Sequence, residues 1–445
     1  MDFGALCLIP PLVVIVLAVA FRRAFEPLLV GCLVGFLIIN FREFPNNFIT
    51  ALTDTLKHAD MVWVILVCGF YGSLIHLIIE SGGVFAFGNM VLKSVKSRRS
   101  ALVMSWFMGL FVFIDDYMSA LATGVTMRKI TDQFNISREM LAYMVNAMAA
   151  PVCVLIPMST WSIYVGKLLE DNKVVGQNGG FDGFLATIPY MFYPWLVVIM
   201  ALLVALGKLP LVGKMHLAEA RTQNQPSATP TATNDITSKL SQAKPIYFFL
   251  PLVVLIAATL LLEKDALKGV MAALVFTFLF YGAFGVMKFT EVTDGIFEGF
   301  KSMVFALAIL TMSYVLKMVG DKMGLTPFVI NSVQPVLSKE LLAAAIFASL
   351  SFISYTTASS WGMYAVAIPI VVPLANAMGA NVWLALAAVV SSGAFGSQAS
   401  FFSDVTVLTA TSTECNNMEL SYAQFPYNLV AWGLSVFLFL AFGYF

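Results

Sequence analysis

Two adjacent carboxylates stand within an otherwise apolar stretch of this chain. The stretch reads GLFVFIDDYMSALATG over 109–124 and places Asp115 and Asp116 between an apolar run and a series of small residues. Burying one ionised carboxylate at the centre of a bilayer costs a few kcal/mol, and two neighbouring carboxylates repel each other. Water, a bound cation or a proton would relieve both costs. The pair is therefore a candidate site for Na+ or for protons.

A shallower position for the same two residues is the alternative. If the stretch lay near the headgroups, Asp115 and Asp116 would be solvated charges in an aqueous vestibule and would need no ligand. We favour the ion-handling interpretation, because the aspartates stand in the middle of an apolar segment.

Three further apolar segments carry oxygen-bearing side chains where a helix is predicted to break. Pro151 and Pro157, for example, each remove a backbone hydrogen bond from the segment 144–166. Hydroxyl groups and carbonyl oxygens at such breaks can ligate a cation. The candidate ligands in the three segments are Asn146, Ser159, Thr160, Thr356, Thr357, Ser359, Ser397, Ser400, Ser403 and Asp404.

These segments also have a purely structural interpretation. Neighbouring helices can absorb a proline kink, and a Ser/Thr-rich run such as SYTTASSW at 354–361 packs well between membrane helices. The two interpretations are balanced for the prolines and for that run. For Asp404, which stands in the glycine- and serine-rich run 391–411, we favour an ion-binding role.

Membrane-spanning helices must position these residues. Of the 445 residues, 60% are hydrophobic and 11% are charged, and the mean hydropathy is +0.87, which excludes a water-soluble globular domain of this length. We predict an all-α polytopic membrane protein with about ten transmembrane helices and two re-entrant hairpins. The predicted spans are 4–20, 26–41, 61–80, 139–166, 184–207, 246–262, 267–288, 301–319, 381–412 and 425–444.

The two predicted hairpins are the stretches 100–127 and 340–377, which are longer than one span and have polar centres. Basic segments flank the first stretch, KSVKSRRS at 93–100 and MRKITDQFNISRE at 127–139. Basic loops stay in the cytoplasm. A single crossing would leave one of them outside, whereas a hairpin keeps both inside.

The chain divides into two halves with the same order of features, 1–207 and 246–445. Between them, the polar, Pro/Ser/Thr-rich segment 208–245 is predicted to be a flexible cytoplasmic linker. Counting the spans along the chain shows that the second half would begin on the side of the membrane opposite to the start of the first half. Such inverted-topology repeats place a substrate site at their interface near mid-membrane.

Several classes of function are disfavoured. The 25 Lys and Arg residues balance the 25 Asp and Glu residues, so nothing points to nucleic acid as a partner. The five cysteines are scattered and form neither a metal motif nor a disulfide framework, and phosphate-binding loops are missing from the sequence. We therefore expect no enzyme and no cofactor, and transport energised by an ion gradient.

Two segments resemble the paired signature regions of the NhaC-type sodium/proton antiporter family, within the ion transporter superfamily. They are IDDYMSALATGVTMRKITDQFNISREMLAYMVNAMAAPVCVLIPMSTW at 114–161 and SSGAFGSQASFFSDVTVLTATSTECNNMELSYAQFPYNL at 391–429. The resemblance extends over both repeat cores, 61–166 and 301–430. It implies ten-odd spans, two re-entrant hairpins, two broken helices, a homodimer and cation-coupled exchange.

The resemblance also implies roles for individual residues. Asp115, Asp116 and Asp404 would bind the cation, and hydroxyl side chains would line the site. Those hydroxyl residues are Ser159, Thr160, Ser400 and Ser403.

We expect a transporter of the bacterial inner membrane that exchanges Na+ for H+ by alternating access, with the lipid bilayer and a small ion or small-molecule substrate as its partners. The nearest alternative is a Na+- or H+-coupled carrier of an amino acid or small organic acid, in which the same aspartates bind only the coupling ion. A channel fits less well, since two opposed hairpins that stop at mid-depth would block a continuous pore.

Overall fold

The computed structural model describes residues 3–21, 25–57, 59–92, 95–176, 179–223, 243–262, 265–333, 335, 337–357, 360–401 and 403–444. Within these ranges the regular secondary structure is helical and contains no strand. The all-α prediction is confirmed.

The first half of the chain forms thirteen α-helices within the described residues. They are α1 (Ile9–Phe21), α2 (Phe25–Ile39), α3 (Phe44–Lys57), α4 (Ala59–Glu80), α5 (Gly83–Leu92), α6 (Arg98–Phe111), α7 (Asp116–Gln133), α8 (Arg138–Met148), α9 (Ala150–Leu155), α10 (Thr160–Asp171), α11 (Gly180–Thr187), α12 (Phe192–Ala205) and α13 (Gly213–Gln223).

The second half forms ten more helices within the described residues. They are α14 (Ile246–Leu261), α15 (Ala266–Ala283), α16 (Phe289–Ser302), α17 (Val304–Met323), α18 (Leu325–Val333), α19 (Lys339–Thr357), α20 (Ser360–Met378), α21 (Val382–Ala399), α22 (Asp404–Thr413) and α23 (Asn417–Gly443).

The two halves repeat one order of elements. Each has two apolar helices, an amphipathic helix (α3 or α16), a long helix and a short helix, followed by a pair of helices joined at a break and then a broken helix. The contacts repeat as well: α2 packs against α17, and α15 packs against α4. That the halves cross the membrane in opposite directions stays a prediction, which these contacts support.

Judged by helix length and hydropathy, fewer helices cross the membrane than the ten predicted. Among the described residues, six helices are long and apolar enough to cross, or eight if two bent pairs each count as one span. Three shorter apolar helices, Gly4–Leu17, Phe25–Ile39 and Ile246–Leu261, coincide with predicted spans. A multi-pass membrane protein is thus confirmed, and the count of ten is not.

Both predicted hairpins correspond to two helices with a break between them. In the first, α6 and α7 pack against each other and the chain is non-helical over 112–115. In the second, α19 ends at Thr357 and α20 begins at Ser360, so the turn itself lies outside the described residues. By length and hydropathy, α20 is also long enough to cross a membrane alone.

The flexible linker begins later than predicted. Within 208–245, α13 is a helix that packs on α8 and α23, and 224–242 lie outside the described residues. Glu219 of α13 is 2% exposed; its Oε1 accepts hydrogen bonds from the amide (3.0 Å) and the hydroxyl (2.7 Å) of Ser137, and its Oε2 pairs with Arg98. These contacts fix α13 to the base of the first hairpin, so the prediction of flexibility is wrong for this part.

The core of the molecule is built from the broken helices. Every residue of α8 after Arg138 is buried, and so is every residue of α21 from Leu384 onward. Small side chains permit this depth: a Cβ on Gly393 would meet the ring of Tyr364, and one on Gly396 would meet Ser354. The helices that lead into both breaks therefore lie in the interior of the protein, while Pro157 at the first break is partly exposed.

Candidate ion-binding site

Asp115 ends the non-helical break of the first hairpin and caps α7. Its backbone is extended, and its Oδ1 accepts the amides of Tyr117 (3.0 Å) and Met118 (3.1 Å), the geometry that makes aspartate a favoured N-cap. Its Oδ2 accepts a hydrogen bond from the hydroxyl of Thr160 at 3.4 Å. Asp115 therefore has a structural role, whatever else it binds.

Asp116, the first residue of α7, is placed differently. The side chain is 2% exposed, and its Oδ2 has no hydrogen-bond partner within the described residues. An unpaired buried carboxylate oxygen is costly, and a cation or a proton removes that cost. The indole nitrogen of Trp161, on α10, lies beside this carboxylate and is likewise buried without a hydrogen bond of ordinary geometry there. Of the predicted acids, Asp116 has the strongest need for a ligand.

The first broken helix, α8 to α10, meets the first hairpin at its break. Ser159 caps α10 by accepting the amide of Ser162 at 3.1 Å, and its own hydroxyl donates to the carbonyl of Cys153 at 2.5 Å. The amide of Thr160 donates to the carbonyl of Ile114 at 2.9 Å. Two chain breaks thus lie side by side next to Asp115.

The second broken helix, α21 to α22, has the same cap. Ser403 accepts the amide of Thr406 at 3.1 Å, and its hydroxyl donates to the carbonyl of Ser397, six residues earlier, as Ser159 does to Cys153. Ser400 ends α21 and is 1% exposed.

Asp404 begins α22 and is exposed, unlike the two aspartates of the first hairpin. Its Oδ2 accepts a hydrogen bond from the phenol of Tyr117 at 3.3 Å. Among the described residues, no group of three or more His, Cys, Asp or Glu side chains could hold a metal ion. Asp115, Asp116 and Asp404 therefore do not form one carboxylate cluster, and a Na+ site would need hydroxyl or carbonyl oxygens as well.

Asn146 of α8 anchors a buried amide network that joins the two halves. Its Nδ2 donates to the carbonyl of Gln398 and to the side chain of Gln424, both at 2.9 Å, while its Oδ1 has no partner among the described residues. Gln398 in turn accepts from the hydroxyl of Tyr193 at 2.5 Å and donates to Asn428 at 3.0 Å. The network holds α8, α21 and α23 together around the second break.

Most of the predicted ligands of the second hairpin are not among the described side chains. Ser359 lies outside the described residues, and so do the side chains of Thr356 and Thr357 at the end of α19. The neighbouring Ser360 is described: its hydroxyl donates to the carbonyl of Gly393 at 2.8 Å and lies 2.7 Å from the hydroxyl of Ser397. These bonds join the second hairpin to the second broken helix.

The structure thus brings the predicted residues into two adjoining groups. Asp115, Asp116, Ser159 and Thr160 surround the first pair of breaks, and Asn146, Ser397, Ser400 and Ser403 surround the second. Two contacts connect the groups: the hydrogen bond from Tyr117 to Asp404, and the rings of Trp161 and Trp361, whose centroids are 4.4 Å apart.

Sequence reasoning missed several members of the site. Gln398 and Thr406 stand in the polar run 391–411, but Gln424 lies in α23, one residue before the predicted span 425–444. An isolated amide in an apolar helix is the signal that could have found Gln424, because intramembrane polar groups require a partner. For Tyr117, the sequence contains no comparable signal of a role in the site.

A cavity of about 230 Å³ reaches the first broken helix. It touches Pro157 and Ser162 at the break, and Lys167 and Glu170 farther along α10. The ammonium of Lys167 lies 3.0 Å from Glu170 and 5.8 Å from the centre of the Trp63 ring.

Comparisons with known proteins identify a family and a fold for this chain. Residues 165–444 match the model of the Na+/H+ antiporter family. An uncharacterized protein of Haemophilus influenzae is 27% identical over 460 residues, which covers 94% of this chain and 87% of that protein.

Two solved structures have a similar fold at low sequence identity. The YdaH transporter of Alcanivorax borkumensis, whose topology is described as unusual, has a TM-score of 0.63 and 14% identity, covering 90% of this chain and 89% of its own. MtrF of Neisseria gonorrhoeae, described as illuminating a class of antimetabolite efflux pumps, has a TM-score of 0.55 and 12% identity, covering 91% of this chain and 85% of its own.

Proposed function

Since this chain belongs to the Na+/H+ antiporter family and is a multi-pass membrane transporter, we propose that it exchanges Na+ for H+ across the bacterial inner membrane by alternating access. The observation that carries the proposal is the buried, unpartnered oxygen of Asp116 beside two helix breaks. A carboxylate in that position needs either a cation or a proton, and competition between the two for one oxygen couples their movements.

Asp116 and the neighbouring breaks supply the ion site. Asp115 is held by its cap and by Thr160, so it keeps the break in shape while Asp116 exchanges its ligand. Carbonyl oxygens freed at the breaks complete an oxygen shell for Na+. Only the neutralised site, with Na+ or a proton bound, crosses between the two sides, because an unpaired charge in the hydrocarbon is costly.

Alternating access follows from the division into core and scaffold. The hairpins and the broken helices form one body around the site, and the outer apolar helices, such as α2 and α15, pack on the long helices α17 and α4. Movement of the core against this scaffold would expose Asp116 in turn to each side. The cavity at Pro157 and Ser162 is the outer approach to the site.

A second function, ion-coupled carriage of a small organic solute, is favoured by the chemistry of that cavity. Its lining combines the aromatic Trp63 with the cationic Lys167 and the acidic Glu170, a combination that suits a zwitterion better than a bare ion. The similar fold of MtrF, described as an efflux pump for antimetabolites, points the same way.

Proteoliposomes distinguish the two functions. A Na+ gradient imposed without organic solute should move protons in the opposite direction, reported by an internal pH dye. Asp116→Asn should abolish this flux, whereas Asp54→Asn, which changes an exposed acid on α3, should leave it unchanged. A proton flux that appears only when an amino acid or organic acid is added would replace antiport with solute carriage.

A further inference from the structure

A row of polar side chains runs along one face of α7 from the ion site. Asp116, Ser119, Thr123 and Thr126 follow one another at intervals of three and four residues, which places them on one side of the helix. Their exposed fractions are 2%, 1%, 1% and 8%, so all four are more than nine-tenths buried. Each nevertheless has a side-chain oxygen without a hydrogen-bond partner among the described residues.

Many buried hydroxyls on other helices donate to the carbonyl four residues earlier, as Ser73 does to Gly69 at 3.1 Å and Thr277 to Ala273 at 2.6 Å. Thr259, Ser351, Ser354 and Ser391 are unpartnered among the described residues, as the α7 hydroxyls are, but α7 has three such hydroxyls in succession on one face. Thr131, on the cytoplasmic end of α7 itself, donates to Met127 at 3.1 Å.

Every helical Ser or Thr has access to that bond. Three successive hydroxyls on one face of α7 that do not make it are free to serve another partner, and a membrane interior does not supply one unless water or an ion enters.

A neighbouring helix contributes to the same region. Thr409 of α22 is fully buried, and its hydroxyl is also unpartnered within the described part of the chain. The helix α22 packs along α7, and the hydroxyl of Ser412 donates to the carbonyl of Ala120 at 2.8 Å. Oxygen atoms thus come from two packed helices.

The row has the length of half a membrane. Ten residues separate Asp116 from Thr126, and a rise of 1.5 Å per residue gives about 15 Å, half of the roughly 30 Å hydrocarbon core. Just beyond its end, Arg128 lies 2.5 Å from Glu414 and begins the basic segment that the positive-inside rule assigns to the cytoplasm. The row therefore joins the ion site to the cytoplasmic surface.

We propose that Ser119, Thr123 and Thr126 line the cytoplasmic half-path by which a hydrated cation reaches Asp116. The path is closed in this structure, since its hydroxyls are buried, and it opens when the core moves against the scaffold. The inference rests on the proposed function for the identity of the cargo, and the location of the path is tested separately.

Cysteine accessibility tests the location without any transport assay. In a background whose five native cysteines are replaced, single variants Ser119→Cys, Thr123→Cys and Thr126→Cys are treated in inside-out vesicles with a membrane-impermeant cationic methanethiosulfonate. Met118→Cys is the matched control, because it lies one residue from Ser119, is equally buried and points about 80–140° away from the three row positions around the helix.

We expect labelling from the cytoplasmic side at the three row positions, fastest at Thr126→Cys, and at least about tenfold slower labelling at Met118→Cys, the ratio that a 1.4 kcal/mol difference in accessibility would give. Equal labelling of Met118→Cys, or labelling of the row only from the outside, would overturn the proposal.

A pair of substitutions in the native background gives an independent test. Thr123→Val keeps the shape and removes the hydroxyl, and it should lower the transport rate about fivefold, the ratio for one lost hydrogen bond of about 1 kcal/mol. Thr123→Ser keeps the hydroxyl and should restore most of the rate. Equal rates for Thr123→Val and Thr123→Ser would contradict a role for the hydroxyl.

The location of the path and the identity of the cargo can be refuted independently. If the row positions are labelled as expected but wild-type protein moves no protons in response to Na+, the path is supported and the proposed cargo is wrong. If Na+ drives proton flux but the row positions are not labelled, the proposed function is supported and the path is wrong.

Discussion

The two halves of this protein share a backbone design and differ in charge. Ser159 and Ser403 cap corresponding helices and donate to carbonyls six residues earlier, so each half has the same kind of break. The first hairpin places two buried aspartates at its break, whereas the described residues of the second offer Ser360. The two halves thus have equivalent breaks, and in the proposed mechanism the acids of the first half make it the half that handles the ion.

Among the substitutions that test the difference between the two halves, neutralising Asp116 should have the largest effect on the transport rate. Asp116→Asn removes the charge that draws the ion, and we expect transport to fall about a hundredfold or more, the scale of losing a buried charged partner. Ser360→Ala, in the other hairpin, should reduce transport less than about tenfold. Flux assays measure both variants. A larger loss of transport in Ser360→Ala than in Asp116→Asn would contradict the proposed difference between the halves.

The Asp116 substitution should also leave the fold intact. Removing an unpaired buried charge relieves a desolvation penalty, so Asp116→Asn should unfold at the same temperature as wild type or a higher one. A lowered unfolding temperature in detergent would indicate that Asp116 is a structural residue.

The helix α13 is tied to the start of the first hairpin through Glu219, and breaking that tie should cost the most stability. Glu219→Ala leaves Arg98 and Ser137 without their buried partner, and we expect a loss of about 3 kcal/mol in the free energy of unfolding. The control Glu298→Ala breaks an exposed pair with Lys301 and should cost less than about 1 kcal/mol. Equal losses, measured by steric trapping in bicelles, would show that α13 does not hold the hairpin.

Substitutions of the two neighbouring aspartates should differ in their effect on the free energy of unfolding. Asp115→Ala removes a helix cap and should cost about 1–2 kcal/mol, whereas Asp115→Ser can still cap α7 and should cost less. Asp116→Ala removes no cap. If the Asp115 and Asp116 variants lost equal stability, the division of roles between cap and ligand would be wrong.

The smallest effect concerns the duplicated serine caps. Ser159→Ala and Ser403→Ala should each lower the free energy of unfolding by about 1 kcal/mol, because both hydroxyls satisfy the same kind of helix end. Thermal unfolding of the two variants is the measurement. A large effect at one site only would mean that the breaks are not equivalent.

The membrane class, the helix breaks and the first hairpin could be predicted from the sequence. Composition sets the class, and the prolines and the polar centre at Asp115 mark breaks through local physics. The order of elements in the two halves follows from the same local signals.

What depends on distant contacts could not be predicted. The helix α13 reads as a polar linker because its stabilising partners, Arg98 and Ser137, lie far away in the sequence. Gln424 stands one residue before the predicted span 425–444, and its partners appear only when α8 and α21 are placed against it. The exposure of Asp404, unlike the burial of Asp116, is likewise a product of packing.

Competition between Na+ and protons at Asp116 is the central claim, and proton release measures it most directly. Adding Na+ to purified protein in weakly buffered solution should release protons from the wild type and from Asp54→Asn, and none from Asp116→Asn. Undiminished proton release from a folded Asp116→Asn protein would contradict the account.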